Sequence, residues 1–192
     1  MLDWLLDNFW VTLLIWIGLY LSDFALTLRS ARLYQDGGIQ HVVYEKGIEL
    51  TPYYRKDIAA QRWISPRFLF MLGLSCLVLW MVWSLDQWFG PEALLFEMVS
   101  GAYLLLEVSI HVRHARNLVY LSRLKSSQGV SGKIEYSSWL TLEISALDLL
   151  AFAALFLAVY WLTSQVFFAG GAIACAVTAL RQWRLSRKER KT

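Results

Sequence analysis

The chain has 192 residues, 57% of them hydrophobic, with ten Trp and a mean hydropathy of +0.44. That composition excludes an ordinary soluble domain, and the length suits one folding unit, so a single membrane domain over residues 1–192 is expected. The net charge of +3 is the small remainder of 18 basic and 15 acidic residues, and it points to no nucleic-acid partner.

Stretches of about 20 apolar residues mark membrane spans. Five are predicted, at 9–28, 68–85, 93–112, 139–162 and 164–180. The opening MLDWLLDN is acidic where a secretory signal is basic, so the first span is expected to be retained. No Lys or Arg precedes span one, seven lie from Arg29 to Arg67, and none lies between spans two and three. Five follow from Arg113 to Lys133, none between spans four and five, and six from Arg181 to Lys191. All 18 therefore fall on one side of a five-span arrangement. The positive-inside rule makes that side cytoplasmic, with the N-terminus out and the C-terminus in. The expectation is an all-α, multi-pass protein of the cell (inner) membrane. Its partner is the lipid bilayer, and its basic tail, 181–192, rests on anionic headgroups. Cys76 and Cys175 lie in apolar spans without metal or redox spacing and read as buried thiols.

An internal repeat runs through the first four spans. DFALTLRSAR, 23–32, aligns without a gap under EVSIHVRHAR, 107–116, pairing Asp23 with Glu107, Arg29 with Arg113 and Arg32 with Arg116. After a two-residue shift IELTPYYRKDIAA, 48–60, aligns with IEYSSWLTLEISA, 134–146, pairing Glu49 with Glu135 and Asp57 with Glu143. Unit one covers 9–90, with spans 9–28 and 68–85 and an interfacial helix near 52–63 that starts at the Thr51-Pro52 cap. Unit two covers 93–162, with spans 93–112 and 139–162, and 164–180 is a fifth span. Each unit crosses twice, so the two are parallel copies about an axis along the membrane normal. The stretch DGGIQHVVYEKGIEL suggests a short hairpin turning near Lys46 and Gly47. In span five, Gly170 with Ala174 and Ala172 with Ala176 have the small-xxx-small spacing that favours close helix packing, within the chain or in an oligomer.

Chemistry concentrates near the basic ends. Asp23 and Glu107 each lie six residues before the Arg that ends their span, roughly 9 Å inside the boundary at 1.5 Å per residue. An acid there costs about 2.5–3.5 kcal/mol on insertion scales and faces the bundle interior or a hydrated cavity. Glu49, Glu135, Asp57 and Glu143 are expected to reach the same level from the cytoplasmic side, and Asp148 lies within span four. Arg29, Arg32, Arg113 and Arg116 surround these acids as ion-pair partners. Glu107, His111 and His114 fall within roughly 60° of one helical face at about 100° per residue. Two imidazoles and a carboxylate suit a divalent metal, Zn, Mn or Fe. The plainer alternative is that Glu107 and His111 satisfy each other across one turn.

The Asp-x-x-x-Thr end of span one, Asp23 to Thr27, followed by GIELTP, resembles a group of small uncharacterised bacterial multi-span membrane proteins. In that group an Asp-containing span precedes a Glu-Leu-Asn-Pro stretch, and Thr51 stands here where the group has Asn. The resemblance covers a small part of the chain and implies no activity. From the residues, the expected function is a site in the cytoplasmic half of the membrane that binds and moves a cation or proton, with a homodimer enclosing the path. The alternatives are a membrane-embedded metal-dependent enzyme acting on a lipid-like substrate, and a non-catalytic accessory subunit with a membrane-complex partner.

Overall fold

The structure is a computed structural model and describes residues 8–45, 54–90, 94–125 and 132–191. Six α-helices appear among them: α1 Phe9–Gln35, α2 Arg55–Ala59, α3 Pro66–Phe89, α4 Leu95–Lys125, α5 Ser138–Thr163 and α6 Val166–Glu189. All but α2 are long and apolar enough to cross a membrane. The helix ends follow local chemistry. Asn8 caps α1 through Val11 N, and Ser65 with Pro66 opens α3, its Oγ accepting from Phe68 N. Gly90, at φ 90°, ends α3. A two-residue turn at Ser164 and Gln165 reverses the chain between α5 and α6. Helices α1, α4 and α6 continue past their apolar stretches at the ends that carry Arg29 and Arg32, Arg113 and Arg116, and the basic run from Arg181.

Helix α4 is the hub, packing on α1, α3 and α6, while α5 packs chiefly on α6. The α4–α6 contact depends on glycine. A Cβ on Gly101 would stand 1.8 Å from the Phe167 carbonyl oxygen, and one on Gly170 would stand 1.8 Å from that of Met98. The small residues of span five therefore serve contacts within the chain: Gly170 and Gly171 meet α4, and Ala172, Cys175 and Ala179 meet Ala146, Leu149 and Ala153 of α5. At the other end of the bundle from the basic residues, Phe9 and Trp16 of α1, Leu79 of α3, Phe96 and Leu104 of α4, and Phe167 of α6 form one apolar cluster. Trp16 Nε1 donates to Ser75 Oγ at 2.8 Å, tying α1 to α3. Glu97 Oε1 accepts from Phe167 N at 3.1 Å, which satisfies an amide at the start of α6.

A small sheet sits at the basic end. Strand β1, Val42–Tyr44, pairs in parallel with β2, Ile134–Tyr136, in the register Val42↔Ile134, Val43↔Glu135 and Tyr44↔Tyr136. Val42 is fully buried with Tyr34, Leu121 and Leu124, which fastens the sheet to α1 and α4. Within the stretch expected to form a hairpin, the described strand β1 pairs in parallel with a distant strand; Lys46 and Gly47, where the turn is expected, lie outside the described residues. The pairing buries Val42 against two helices. The helix expected near 52–63 is the short α2, with Ile58 packed on Phe24, Leu28 and Phe68, and the Thr51-Pro52 cap is outside the described residues.

Gly101→Ala and Gly170→Ala are each expected to cost about 1–3 kcal/mol by forcing two backbones apart, seen as a lower thermal midpoint of the purified protein. Gly18→Ala, with open space around its Cβ, should leave the midpoint unchanged or slightly raised. Equal shifts for Gly18 and Gly101 would contradict the α4–α6 contact.

Candidate functional site

Helix α1 brings Ser22, Asp23 and Thr27 to its contact with α4, and α4 presents Glu107, His111 and His114 there. One ligand atom from each of Asp23, Glu107 and His111 lies within 4.8 Å of the others. Glu107 is buried, at 5% exposure, and its Oε2 has no hydrogen-bond partner. Asp23 Oδ1 lies 3.1 Å from His114 Nε2, close enough for an ion pair with a protonated imidazole but not aligned as a hydrogen bond. No Lys or Arg pairs with either carboxylate among the described residues. Two carboxylate charges 4 Å apart repel by about 4 kcal/mol at an effective dielectric of 20. A proton or cation between them removes that cost.

The imidazoles are fixed from outside the pair. His111 Nδ1 is 2.8 Å from the Glu107 carbonyl oxygen; a carbonyl only accepts, so Nδ1–H donates and Nε2 is the free nitrogen of the neutral ring. Fixing the tautomer through a backbone carbonyl is how metal-ligating histidines are held. Nε2 is 2.7 Å from Ser22 Oγ, which also donates to the Leu19 carbonyl at 2.9 Å. Ser22 has one proton, so it serves either the Leu19 carbonyl or Nε2 at one time. His114 Nε2 is also 3.4 Å from Thr27 Oγ1. A cavity of about 300 Å³ reaches this group, lined by Asp23 and His114 together with Tyr20, Tyr54, Asn117 and Gln182.

Compared with known protein families, curated proteins and solved structures, the chain finds no match.

The remaining acids are placed apart from the pair. Asp57 is buried, accepts from Ser65 Oγ at 2.6 Å, and lies 3.6 Å from Arg62, so it anchors the start of α3. Glu135 is exposed on β2 and pairs with Lys133 Nζ at 2.8 Å, which holds its carboxyl below the usual range. Glu143 accepts from Ser186 Oγ at 3.1 Å, joining α5 to α6. Asp148 is taken by two arginines: Arg116 donates to both oxygens, at 2.8 and 3.2 Å, and Arg113 lies 3.6 Å away. Glu49 lies outside the described residues. Arg32 Nε donates to Gln61 Oε1 at 3.3 Å, and Arg29 is exposed. Of the trio Glu107, His111 and His114, the first two enter the group with Asp23, and His114 touches Asp23 from the other side. Ser22 was not legible as a contributor, because a serine next to an acid carries no spacing signal; only the α1–α4 packing reveals it.

Glu107→Gln removes the charge repulsion and supplies an amide donor for the unpartnered Asp23 Oδ1. In metal-free buffer this variant is expected to be more stable than the parent by about 1–2 kcal/mol, read as a higher thermal midpoint. A lower midpoint would mean the carboxylate is satisfied as it stands.

Proposed function

We propose that this protein binds a divalent cation, Zn, Mn or Fe, between Asp23, Glu107 and His111 inside the membrane, and moves it toward the basic face through the cavity lined by Asp23 and His114. The observation that carries the reading is the buried Glu107 oxygen without a partner, beside a second carboxylate and an imidazole whose other nitrogen is already fixed. Mixed carboxylate and imidazole ligands suit a first-row metal. Protons compete for the same three groups, so each cation bound displaces protons and the two move in exchange.

The bundle sits in the cell (inner) membrane with the basic ends of α1, α4 and α6 in the cytoplasm, the N-terminus out and the C-terminus in, as the positive-inside rule requires of the basic-residue distribution. The site then lies in the cytoplasmic half. Asp23 and Glu107, which the repeat alignment equates, meet across the α1–α4 contact, and this supports reading the two halves as copies about an axis between those helices.

Titration calorimetry and elemental analysis of the purified protein with Zn²⁺ and Mn²⁺ test the proposal. One ion per chain is expected, with affinity falling as pH is lowered. Asp23→Asn, Glu107→Gln and His111→Ala should each weaken binding by at least about tenfold, whereas His114→Ala keeps the stoichiometry. Proteoliposomes should show flux of the same ion, abolished by Glu107→Gln. Binding that is absent, or unchanged by Glu107→Gln, would overturn the assignment.

A further inference from the structure

A second cavity, also of about 300 Å³, lies between α4 and α5 beneath the sheet, away from the paired carboxylates. Its wall is basic and rich in phenol groups. Arg113 and Arg116 share the single carboxylate of Asp148, which leaves one positive charge in excess. Arg116 gives Asp148 two of the five N–H donors of its guanidinium. Tyr44, Tyr120, Tyr136 and Asn117 also face the cavity, and their side-chain polar groups have no hydrogen-bond partner among the described residues. Tyr44 stacks on Tyr136 with ring centres 5.6 Å apart, so the phenols are held in place by the strand register. Burial, together with neighbouring Tyr120, pushes the Tyr44 hydroxyl up to about 12, and it remains a protonated donor in neutral solution. The excess positive charge, with guanidinium and phenol donors converging on one cavity, favours an anion.

The position of the cavity selects the source of that anion. Helices α4 and α5 each pack on α6 rather than along one another. At the basic end they are joined by side chains, Arg116 to Asp148 and Arg113 to Ser145. Ile144, which lines the cavity, is an exposed apolar side chain at this gap, where a membrane places acyl chains. We propose that the cavity binds the phosphate of an anionic phospholipid, with Arg116, Asn117, Tyr44, Tyr120 and Tyr136 as donors and the acyl chains in the gap between α4 and α5. The exposed apolar side chain of Ile144 in the wall gives a free phosphate no comparable reason to settle there.

Native mass spectrometry of the full chain in detergent, with added phosphatidylglycerol or phosphatidylcholine of equal chain length, tests this. Phosphatidylglycerol is expected to bind at least about tenfold more tightly than phosphatidylcholine. Arg116→Gln and Tyr120→Phe should each weaken phosphatidylglycerol binding by about three- to tenfold with helicity kept; the thermal midpoint should be unchanged in Tyr120→Phe and lowered in Arg116→Gln, which releases Asp148. Lys188→Gln in the basic tail should not, and millimolar inorganic phosphate should not displace the lipid. Equal retention of the two lipids overturns the proposal, as does undiminished binding in either folded variant or an equal loss on Lys188→Gln. Displacement by inorganic phosphate would make the cavity a site for the free ion and overturn the lipid assignment.

Discussion

Two carboxylates face each other across the contact of α1 with α4, Glu107 buried and Asp23 partly so. Holding such a pair costs several kcal/mol unless something of opposite charge joins it. The rest of the bundle supplies the force that keeps them together. On one side of the pair, Phe9, Trp16, Phe96 and Leu104 lock α1 to α4; on the other, Tyr34, Val42, Leu121 and Leu124 do the same. Between these two apolar clusters Asp23 and Glu107 cannot separate without breaking one of them. The glycine contact of α4 with α6 fixes the third wall. A site held by packing at both ends would lower the ordering cost of binding the proposed ion.

Helix α4 sorts charge by face. Toward α1 it offers an acid and two imidazoles; toward α5 it offers two arginines, which find Asp148 rather than the acids of α1. That separation has a chemical consequence. Had Arg113 or Arg116 paired with Glu107, the carboxylate would be neutralised by a fixed charge and closed to any cation. Arg116 holds both oxygens of Asp148 and Arg113 lies 3.6 Å from the same carboxylate, so neither forms a salt bridge to the acid pair. Arg113 and Asn117 line both cavities, so the two faces meet at these side chains.

Much of this was legible in the sequence, for reasons that differ by element. The five helices long and apolar enough to cross a membrane were evident from hydropathy alone, because each is a long apolar run. Asp23 and Glu107 stood out because an acid inside a span is expensive, and the alignment of their two stretches predicts them at one level. What the sequence withheld is contact between distant surfaces. A three-residue parallel strand pair joining Val42 to Ile134 has no turn to announce it. Asp57, Glu135 and Glu143, expected to reach the level of Asp23 and Glu107, each have a nearer partner instead, in Ser65, Lys133 and Ser186. Glycine spacing in span five foretold a close contact but not its partner, since Gly101 sits on α4 without a repeat of its own.

The central claim is that residues of α1 and α4 jointly enclose one ion with a single histidine. X-ray absorption at the metal edge of the Zn²⁺- or Mn²⁺-loaded protein reads this directly. The expected spectrum has a first shell of oxygen and nitrogen only, with outer-shell scattering from one imidazole that disappears in His111→Ala and persists in His114→Ala. Scattering from two imidazoles, a sulfur ligand from Cys76 or Cys175, or a spectrum indifferent to His111 would contradict the account.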